Sequence, residues 1–187
     1  MSTTPAEAAD VSVIVQEVRY QEIYVKTKHS WCQVQWQENG RVVILSDYGD
    51  WSYWWGHRGS ASTAAFLSQL DCDYMCNKLL GTSSQELDPD RTHRAMQDAV
   101  LRARRELVFT KEEAREEWEG LQDFEGDQRS FETWAADSRL DDAYEFARHK
   151  LNSTWQHFWG RLWLPHVRPA LQAFAEKEKA QGTQPSV

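Results

Sequence analysis

The stretch of sequence that decides the fold of this 187-residue chain is residues 31–56, WCQVQWQENGRVVILSDYGDWSYWWG. Along residues 31–37, Cys32, Val34 and Trp36 fall on one side of an extended chain and three glutamines fall on the other. An alternation with a period of two is typical of an antiparallel strand with one face in solvent. This stretch therefore predicts a strand at the start of the chain's most aromatic region.

The turn after this strand predicts a register for the hairpin. Asn39-Gly40 accepts the positive φ values of a two-residue type I′ turn, which would close between the oppositely charged residues 38 and 41. Counting outward from that turn gives three opposed pairs, Trp36 with Val43, Val34 with Leu45, and Cys32 with Asp47. Val43 and Leu45 are therefore expected in the core.

The rest of the chain divides into strands and then helices. Residues 11–28 are rich in Val, Ile and Tyr and predict an earlier strand, while residues 51–55 predict a later one. After Gly59 the period of the apolar residues changes to about 3.6, which indicates helices. The predicted helix starts are Ser60 or Ser62, Asp71, Asp88-Pro89, Thr110 with Glu113 as a capping box, Ser130 and Ser138. Pro165 is expected to kink or stop the last, most aromatic helix.

These elements predict an α+β fold. A small antiparallel N-terminal β-meander at about residues 11–56 would pack against a C-terminal set of helices at about residues 60–180. We expect a single domain over residues 1–187, with the sheet at 11–58, the helical part at 60–181, and flexible tails at 1–9 and 182–187.

Composition and charge narrow the class of protein. The net charge is −8, and residues 111–150 carry six basic and thirteen acidic side chains, a net −7. The first ten residues, MSTTPAEAAD, have no basic and apolar signal segment, and no stretch has the roughly 18–20 apolar residues of a membrane span. Three cysteines without framework spacing indicate free thiols. We therefore expect a cytoplasmic protein with no membrane contact.

Candidate chemistry is sparse. The common nucleophile, phosphate-binding, dinucleotide-binding and metalloprotease motifs are absent, so we predict no enzyme. Asp47, Asp50 and His57 could form an acid–base set if they converged. Cys72 and Cys76 are four residues apart and could supply two zinc ligands, but no further ligand has matching spacing. We therefore predict no metal and no cofactor.

Three groups of residues are candidates for binding. The aromatic strand offers Tyr48, Trp51, Trp54 and His57, either as core or as a contact platform. The acidic helix offers Glu112, Glu113, Glu116, Glu117 and Glu119, either as a solvated face or as a field for a basic partner. The preceding helix carries Arg91, Arg94, Arg102, Arg104 and Arg105, which could contact nucleic acid or could pair with those glutamates within the fold.

Two motifs carry a resemblance to a known group of proteins. The segment SDYGDWSYWWG at 46–56, followed by FLSQLDCDYMCNKL at 66–79, resembles a group of small uncharacterised proteins encoded by bacteriophages and prophages. The resemblance covers about residues 40–80 and brings no activity with it. It implies the intracellular product of a phage or prophage gene, and such accessory proteins often bind host or defence machinery.

The combined expectation is a non-enzymatic phage or prophage accessory protein that binds a host or defence-system protein. In its sharper form it is an inhibitor of a nucleic-acid-handling system, an anti-defence protein similar to anti-CRISPR proteins, whose acidic helix competes for a basic nucleic-acid groove. The alternative is an accessory protein that binds nucleic acid itself, through the helix from Arg91 to Arg105 and the aromatic residues. The oligomeric state stays open.

Overall fold

The computed structural model describes residues 17–57, 59 and 61–182. Four strands form one antiparallel sheet in the order β1-β2-β3-β4, and their bounds are β1 Gln21–Lys26, β2 Trp31–Trp36, β3 Arg41–Ser46 and β4 Trp51–Trp54. The predicted strand residues 11–16 and the tail at 1–9 lie outside the described residues, as does all but the first residue of the tail at 182–187.

The predicted hairpin register is wrong by one residue. Trp36 pairs with Val42, Val34 with Ile44, and Cys32 with Ser46. The turn has three loop residues rather than two, because the Gln37 N–H donates to the Arg41 carbonyl at 2.9 Å and Gly40 has a φ of 91°. A one-residue shift turns every side chain of β3 to the other face of the sheet. Val43 and Leu45 therefore lie on the solvent side, half-buried, instead of in the core.

Helices follow the sheet, and most of their predicted starts are confirmed. The helices are α1 Thr63–Gln69, α2 Cys72–Leu80, α3 Pro89–Arg105, α4 Lys111–Gly120, α5 Gln128–Asp137, α6 Ser153–Phe158 and α7 Arg168–Gly182. Ser62, Asp71 and Asp88 each accept a backbone hydrogen bond as N-caps, and Thr110 with Glu113 forms the capping box. The α+β fold is thus confirmed.

Two of the predicted starts are wrong. Helix α5 begins after Asp127, whose carboxylate accepts from the Ser130 N–H at 2.7 Å, so Ser130 lies in the first turn instead of capping it. Ser138 starts no α-helix, and the chain between it and His149 forms a 3₁₀ turn at Ala143–Phe146. Sequence analysis also missed a two-stranded sheet, in which β5 Gln85–Leu87 pairs with β6 His149–Leu151.

Pro165 does not stop the last helix. The chain between α6 and α7 continues as a π-helical segment, Trp159–Val167, with Pro165 inside it. The Arg168 N–H donates to the carbonyl of Trp163, five residues earlier, which is the wider spacing of a π-helix. Proline has no N–H to donate, and the wider hydrogen-bond spacing allows the helix to continue beyond Pro165 despite this missing bond.

The core falls into two clusters. The sheet core joins the inner face of the four strands to α1, α2 and the α6–π–α7 helix, with fully buried Trp36, Trp155 and Trp163 among its largest side chains. The helical core joins α3 to α5 and the chain around them, through side chains such as Met96 and Phe131. Neither core covers the outer face of the sheet or the outward sides of α3, α4 and α5, so these surfaces are exposed to other molecules.

Candidate functional site

The aromatic strand divides between core and surface. Trp51 packs edge to face on Trp155 at 5.2 Å and on Phe158 at 5.1 Å, and Tyr48 packs on Phe158 at 6.4 Å between ring centroids. Trp54 points the other way and is 65% exposed. His57 is also exposed. Of the four candidate residues on this strand, Tyr48 and Trp51 thus support the core, whereas Trp54 and His57 are available for binding.

Trp54 is exposed yet held in place. Its Nε1 donates to the Asn39 carbonyl at 2.8 Å, across the end of the β2–β3 turn. Its ring lies close to Gly56, where an added Cβ would come within 3.2 Å of the indole. An aromatic ring already fixed in one orientation loses little side-chain entropy when a partner covers it. This makes Trp54 a suitable anchor for an interface.

The remaining solvent side of the sheet forms one surface, which we call the outer sheet face. Its members are Glu22, Tyr24, Lys26, Trp31, Gln33, Gln35, Arg41, Val43, Leu45, Ser52 and Trp54. The Glu22 carboxylate accepts from the side-chain amides of Gln33 at 2.7 Å and Gln35 at 2.9 Å, and these bonds lower the pKa of Glu22. Apolar rings thus stand beside a pre-ordered polar network, as in many protein interfaces. Sequence analysis missed Val43 and Leu45 here because the assumed register put them in the core.

The candidate acid–base set does not assemble. Asp47 lies at the end of β3, where its carboxylate accepts from the Trp31 N–H at 2.9 Å and so ties two strands together. His57 follows Trp55, whose N–H donates to the Gly40 carbonyl beside the β2–β3 turn. Asp47 and His57 therefore stand at opposite ends of β3, a strand about 20 Å long.

The three cysteines are free thiols, and two of them, Cys32 and Cys76, are buried. Cys76 is fully buried and donates to the Ser84 carbonyl at 3.6 Å, and burial raises its pKa to about 12. Burial likewise raises the pKa of Cys32 to about 11. Among the described residues, no group of three or more His, Cys, Asp or Glu side chains is placed to hold a metal ion. None of the described helices combines the length and the apolar character that a membrane crossing requires.

Two of the five candidate glutamates on α4 serve the fold instead of a partner. Glu113 closes the capping box through 2.8 Å bonds from the backbone N–H and the hydroxyl of Thr110. Glu117 is only 8% exposed, and its carboxylate accepts from the Ser138 hydroxyl at 2.9 Å and the Arg139 N–H at 2.7 Å. The other three, Glu112, Glu116 and Glu119, face solvent, and two of them form exposed ion pairs with arginines.

The acidic character of this region extends beyond α4. A cavity of about 450 Å³ between the end of α4 and α5 is lined by four carboxylates and one arginine. Its charged members are Asp123, Glu125, Asp127, Arg129 and Asp137. Glu116 lines the adjoining hollow together with Asp137. We call Glu116, Asp123, Glu125, Asp127 and Asp137 the acidic surface.

The arginines of α3 are not neutralised by α4. In the part of the chain that the structure describes, none of the five candidate arginines forms an ion pair. Four of them, Arg91, Arg94, Arg102 and Arg105, are exposed and fall within about 80° of one another around the helix. Arg104 turns toward α4 and donates to the Phe109 carbonyl at 3.3 Å. The predicted basic group is therefore an exposed stripe of four residues, with the fifth on another face.

The chain is a small α+β protein with several open surfaces. Helices cover one face of its antiparallel sheet, the other face carries aromatic side chains, and the helical part has charged surfaces. A phage family, Phage_phiTE_072, has a model that matches residues 13–173. This match covers most of the chain, and the chain therefore belongs to that phage family. Comparison with curated proteins and comparison with solved structures each produced no match.

Proposed function

We propose that this phage protein is a non-enzymatic accessory protein that binds a host or defence-system protein in the bacterial cytoplasm through its outer sheet face. The observation that carries the proposal is Trp54, which is 65% exposed while a hydrogen bond holds its indole in one orientation. Tryptophan is among the residues most enriched at interface hot spots, and a fixed ring binds at a low entropic cost. The apolar contact extends away from Trp54 across this face. Val43 and Leu45 follow Arg41, the cross-strand neighbour of Trp54, along β3, and Tyr24 packs on Trp31 at the far end of the sheet.

The sharper form of the proposal is that the partner handles nucleic acid, so that the protein acts as an anti-defence inhibitor of the anti-CRISPR-like kind. The acidic surface supports this form, because a partner that binds nucleic acid presents basic side chains that such a surface attracts. This attraction would be strongest at low ionic strength, since salt screens exposed charges over about 10 Å at 0.1 M.

Replacing Trp54 with alanine is expected to abolish retention of a defined set of host proteins on the immobilised chain. Loss of a tryptophan hot spot costs at least about 2 kcal/mol, or roughly thirtyfold in affinity. The measurement is quantitative mass spectrometry of proteins retained from lysate of the natural host, with equal loading of wild type and variant. Retained proteins that act on nucleic acid would support the sharper form.

The matched control is Tyr144→Ala, which removes an exposed aromatic ring from the helical part of the molecule. This control should retain the same host proteins as the wild type, and the thermal midpoints of all three proteins should be similar. If the Trp54→Ala variant retains the same host proteins as the wild type, the outer sheet face is not the binding surface.

A second candidate function, direct binding of nucleic acid, is favoured by the exposed arginine stripe of α3. Changing Arg91, Arg94, Arg102 and Arg105 together to glutamine is expected to lower the affinity for single-stranded DNA or RNA at least about tenfold at low salt. It should also flatten the salt dependence, since each lost phosphate contact removes about 0.7 from the slope of log K against log salt. Arg129→Gln serves as the control, and absence of any binding by the wild type at low salt would eliminate this candidate.

A further inference from the structure

A groove between α3 and α4 combines apolar side chains with positive charge. It has a volume of about 420 Å³, and its apolar part is formed by Val100, Leu101, Ala114 and Trp118. Leu101 and Trp118 are both partly exposed to solvent there. Its charged members are Arg104, Lys111 and Arg115, and no carboxylate lines it among the described residues. An acidic protein of net charge −8 thus presents an apolar groove whose charged lining, among the described residues, is basic.

Helix α4 separates this groove from the acidic side of the molecule. Residues 111, 114, 115 and 118 recur at helical spacing and face the groove. Glu112, Glu116 and Glu119 lie on other faces of the same helix. Among the described residues, the ion pair that reaches a groove cation joins Arg115 to Glu119 at 3.1 Å, with both side chains largely exposed. An exposed pair of this kind is worth little, so Arg115 can exchange Glu119 for a carboxylate of a partner.

The turn that joins α3 to α4 carries an unexpected leucine. The Val108 N–H donates to the Ala103 carbonyl at 2.9 Å and the Leu107 N–H to the Arg104 carbonyl at 3.4 Å, which is the Schellman pattern of a helix C-terminus. Leu107 occupies its left-handed position with a φ of 60°, where glycine is the usual residue. Its side chain is nevertheless 79% exposed, and that of Val108 is 67% exposed. Neither the backbone nor the core of the described structure accounts for a leucine at this position.

We propose that the groove binds an amphipathic helix of a partner protein that carries Asp and Glu beside its apolar stripe, with Leu107 and Val108 extending the contact at the turn. Amphipathic helices bind apolar grooves through side chains at i, i+3, i+4 and i+7, and the basic members of this groove would pair with flanking carboxylates. Leu107 is then explained, because its strained and exposed position supplies an apolar contact that glycine cannot. This surface is separate from the outer sheet face, and either one can fail without the other.

The test uses fluorescence anisotropy of a labelled, designed 18-residue helical peptide with leucines at helical spacing and glutamates beside them. The matched peptide replaces each glutamate with lysine. At low salt the acidic peptide should bind at least about tenfold more tightly than the basic one, and this difference should shrink as salt is added. In the variant Lys111→Glu with Arg115→Glu the preference should reverse. Lys111→Glu suits the fold, because acidic residues stabilise the first turn of a helix.

Leu107→Gly separates binding from folding. Removing the left-handed strain should raise Tm by about 2–4 °C, while affinity for the acidic peptide should fall about tenfold. A variant that is more stable and yet binds more weakly cannot be explained by unfolding. The Trp54→Ala variant should bind the peptide as the wild type does.

The proposal is overturned if the two peptides bind equally, or if neither the charge reversal nor Leu107→Gly weakens binding of the acidic peptide. Sedimentation of the chain alone provides another test, because a dimer that the charge reversal dissociates would assign the groove to a second copy. A different outcome is that single-stranded DNA displaces the acidic peptide at lower concentrations than unlabelled acidic peptide does. If replacing Trp118 removes this displacement, the groove is assigned to nucleic acid. Either result would replace the partner helix as its occupant.

Discussion

Replacing Trp155 with alanine is expected to lower the free energy of unfolding by about 3–5 kcal/mol, the range for removing a large aromatic side chain from a core. Trp155 is fully buried at the point where helix α6 meets the sheet. Its ring lies 5.2 Å from that of Trp51, 5.3 Å from Phe158 and 5.9 Å from Trp159. Its Nε1 also donates to the Cys72 carbonyl at 3.2 Å, so the alanine variant would leave both a cavity and an unpaired acceptor.

The measurement is unfolding in urea or guanidinium, monitored by backbone circular dichroism. Tryptophan fluorescence is avoided because the variants differ in tryptophan content. Trp54→Ala is the control, and because Trp54 lies on the surface it should cost less than about 1 kcal/mol. If the Trp155→Ala protein does not fold, Trp155→Phe keeps an aromatic ring and should show an intermediate loss. A loss below about 1 kcal/mol in the alanine variant would contradict the position of Trp155 in the core.

Replacing Glu117 with alanine is expected to lower the free energy of unfolding by about 2–4 kcal/mol, although Glu117 is one of the five candidate binding glutamates of α4. Its carboxylate joins α4 to the chain after α5, where the Ser138 hydroxyl and the Arg139 N–H both donate to it. Hydrogen bonds to a buried charge contribute about 1.5–3 kcal/mol, and alanine would leave both donors without this acceptor.

Matched variants separate this structural role from the charge itself. Glu112→Ala removes an exposed carboxylate from the same helix and should change stability by no more than about 0.5 kcal/mol. Glu117→Gln can still accept from the Arg139 N–H and donate to the Ser138 hydroxyl, so it should lose less than Glu117→Ala. Equal effects of Glu112→Ala and Glu117→Ala in chemical unfolding would contradict the structural role.

This result also determines how the acidic surface should be tested. Reversing the charge of all the α4 glutamates together would remove Glu113 from its capping box and Glu117 from its two donors. Such a variant would lose binding by unfolding. Charge reversals at Glu116, Asp123 and Asp137 change the acidic surface without breaking these bonds.

Helix starts could be predicted from the sequence because capping is local. Asp71, Asp88 and Thr110 each bond a backbone N–H three residues ahead, and the residues that decide the outcome are adjacent in the chain. Asn39-Gly40 predicts a turn for the same reason. The resemblance at residues 46–79 likewise led to a phage family, which the family match confirms.

The hairpin register could not be predicted, because both faces of β3 are apolar. Val42 and Ile44 compete with Val43 and Leu45 for the core, and a two-residue or a three-residue loop at Gly40 satisfies either choice. In the structure Val42 and Ile44 are fully buried within the sheet core, which also contains helices from the far end of the chain. The composition of the outer sheet face follows from this choice.

By itself, the sequence determined the class of fold, the strand-to-helix order and most helix starts, since periodicity and capping depend on neighbours within a few residues. Only the tertiary structure decided which candidate residues remain available to a partner. Trp51 is covered by Trp155, and Glu117 is bound by Ser138, 21 residues away. Trp54 and the α3–α4 groove stay open because no distant segment of the described chain packs on them. Burial is set by contacts between remote parts of the chain, and local patterns do not contain them.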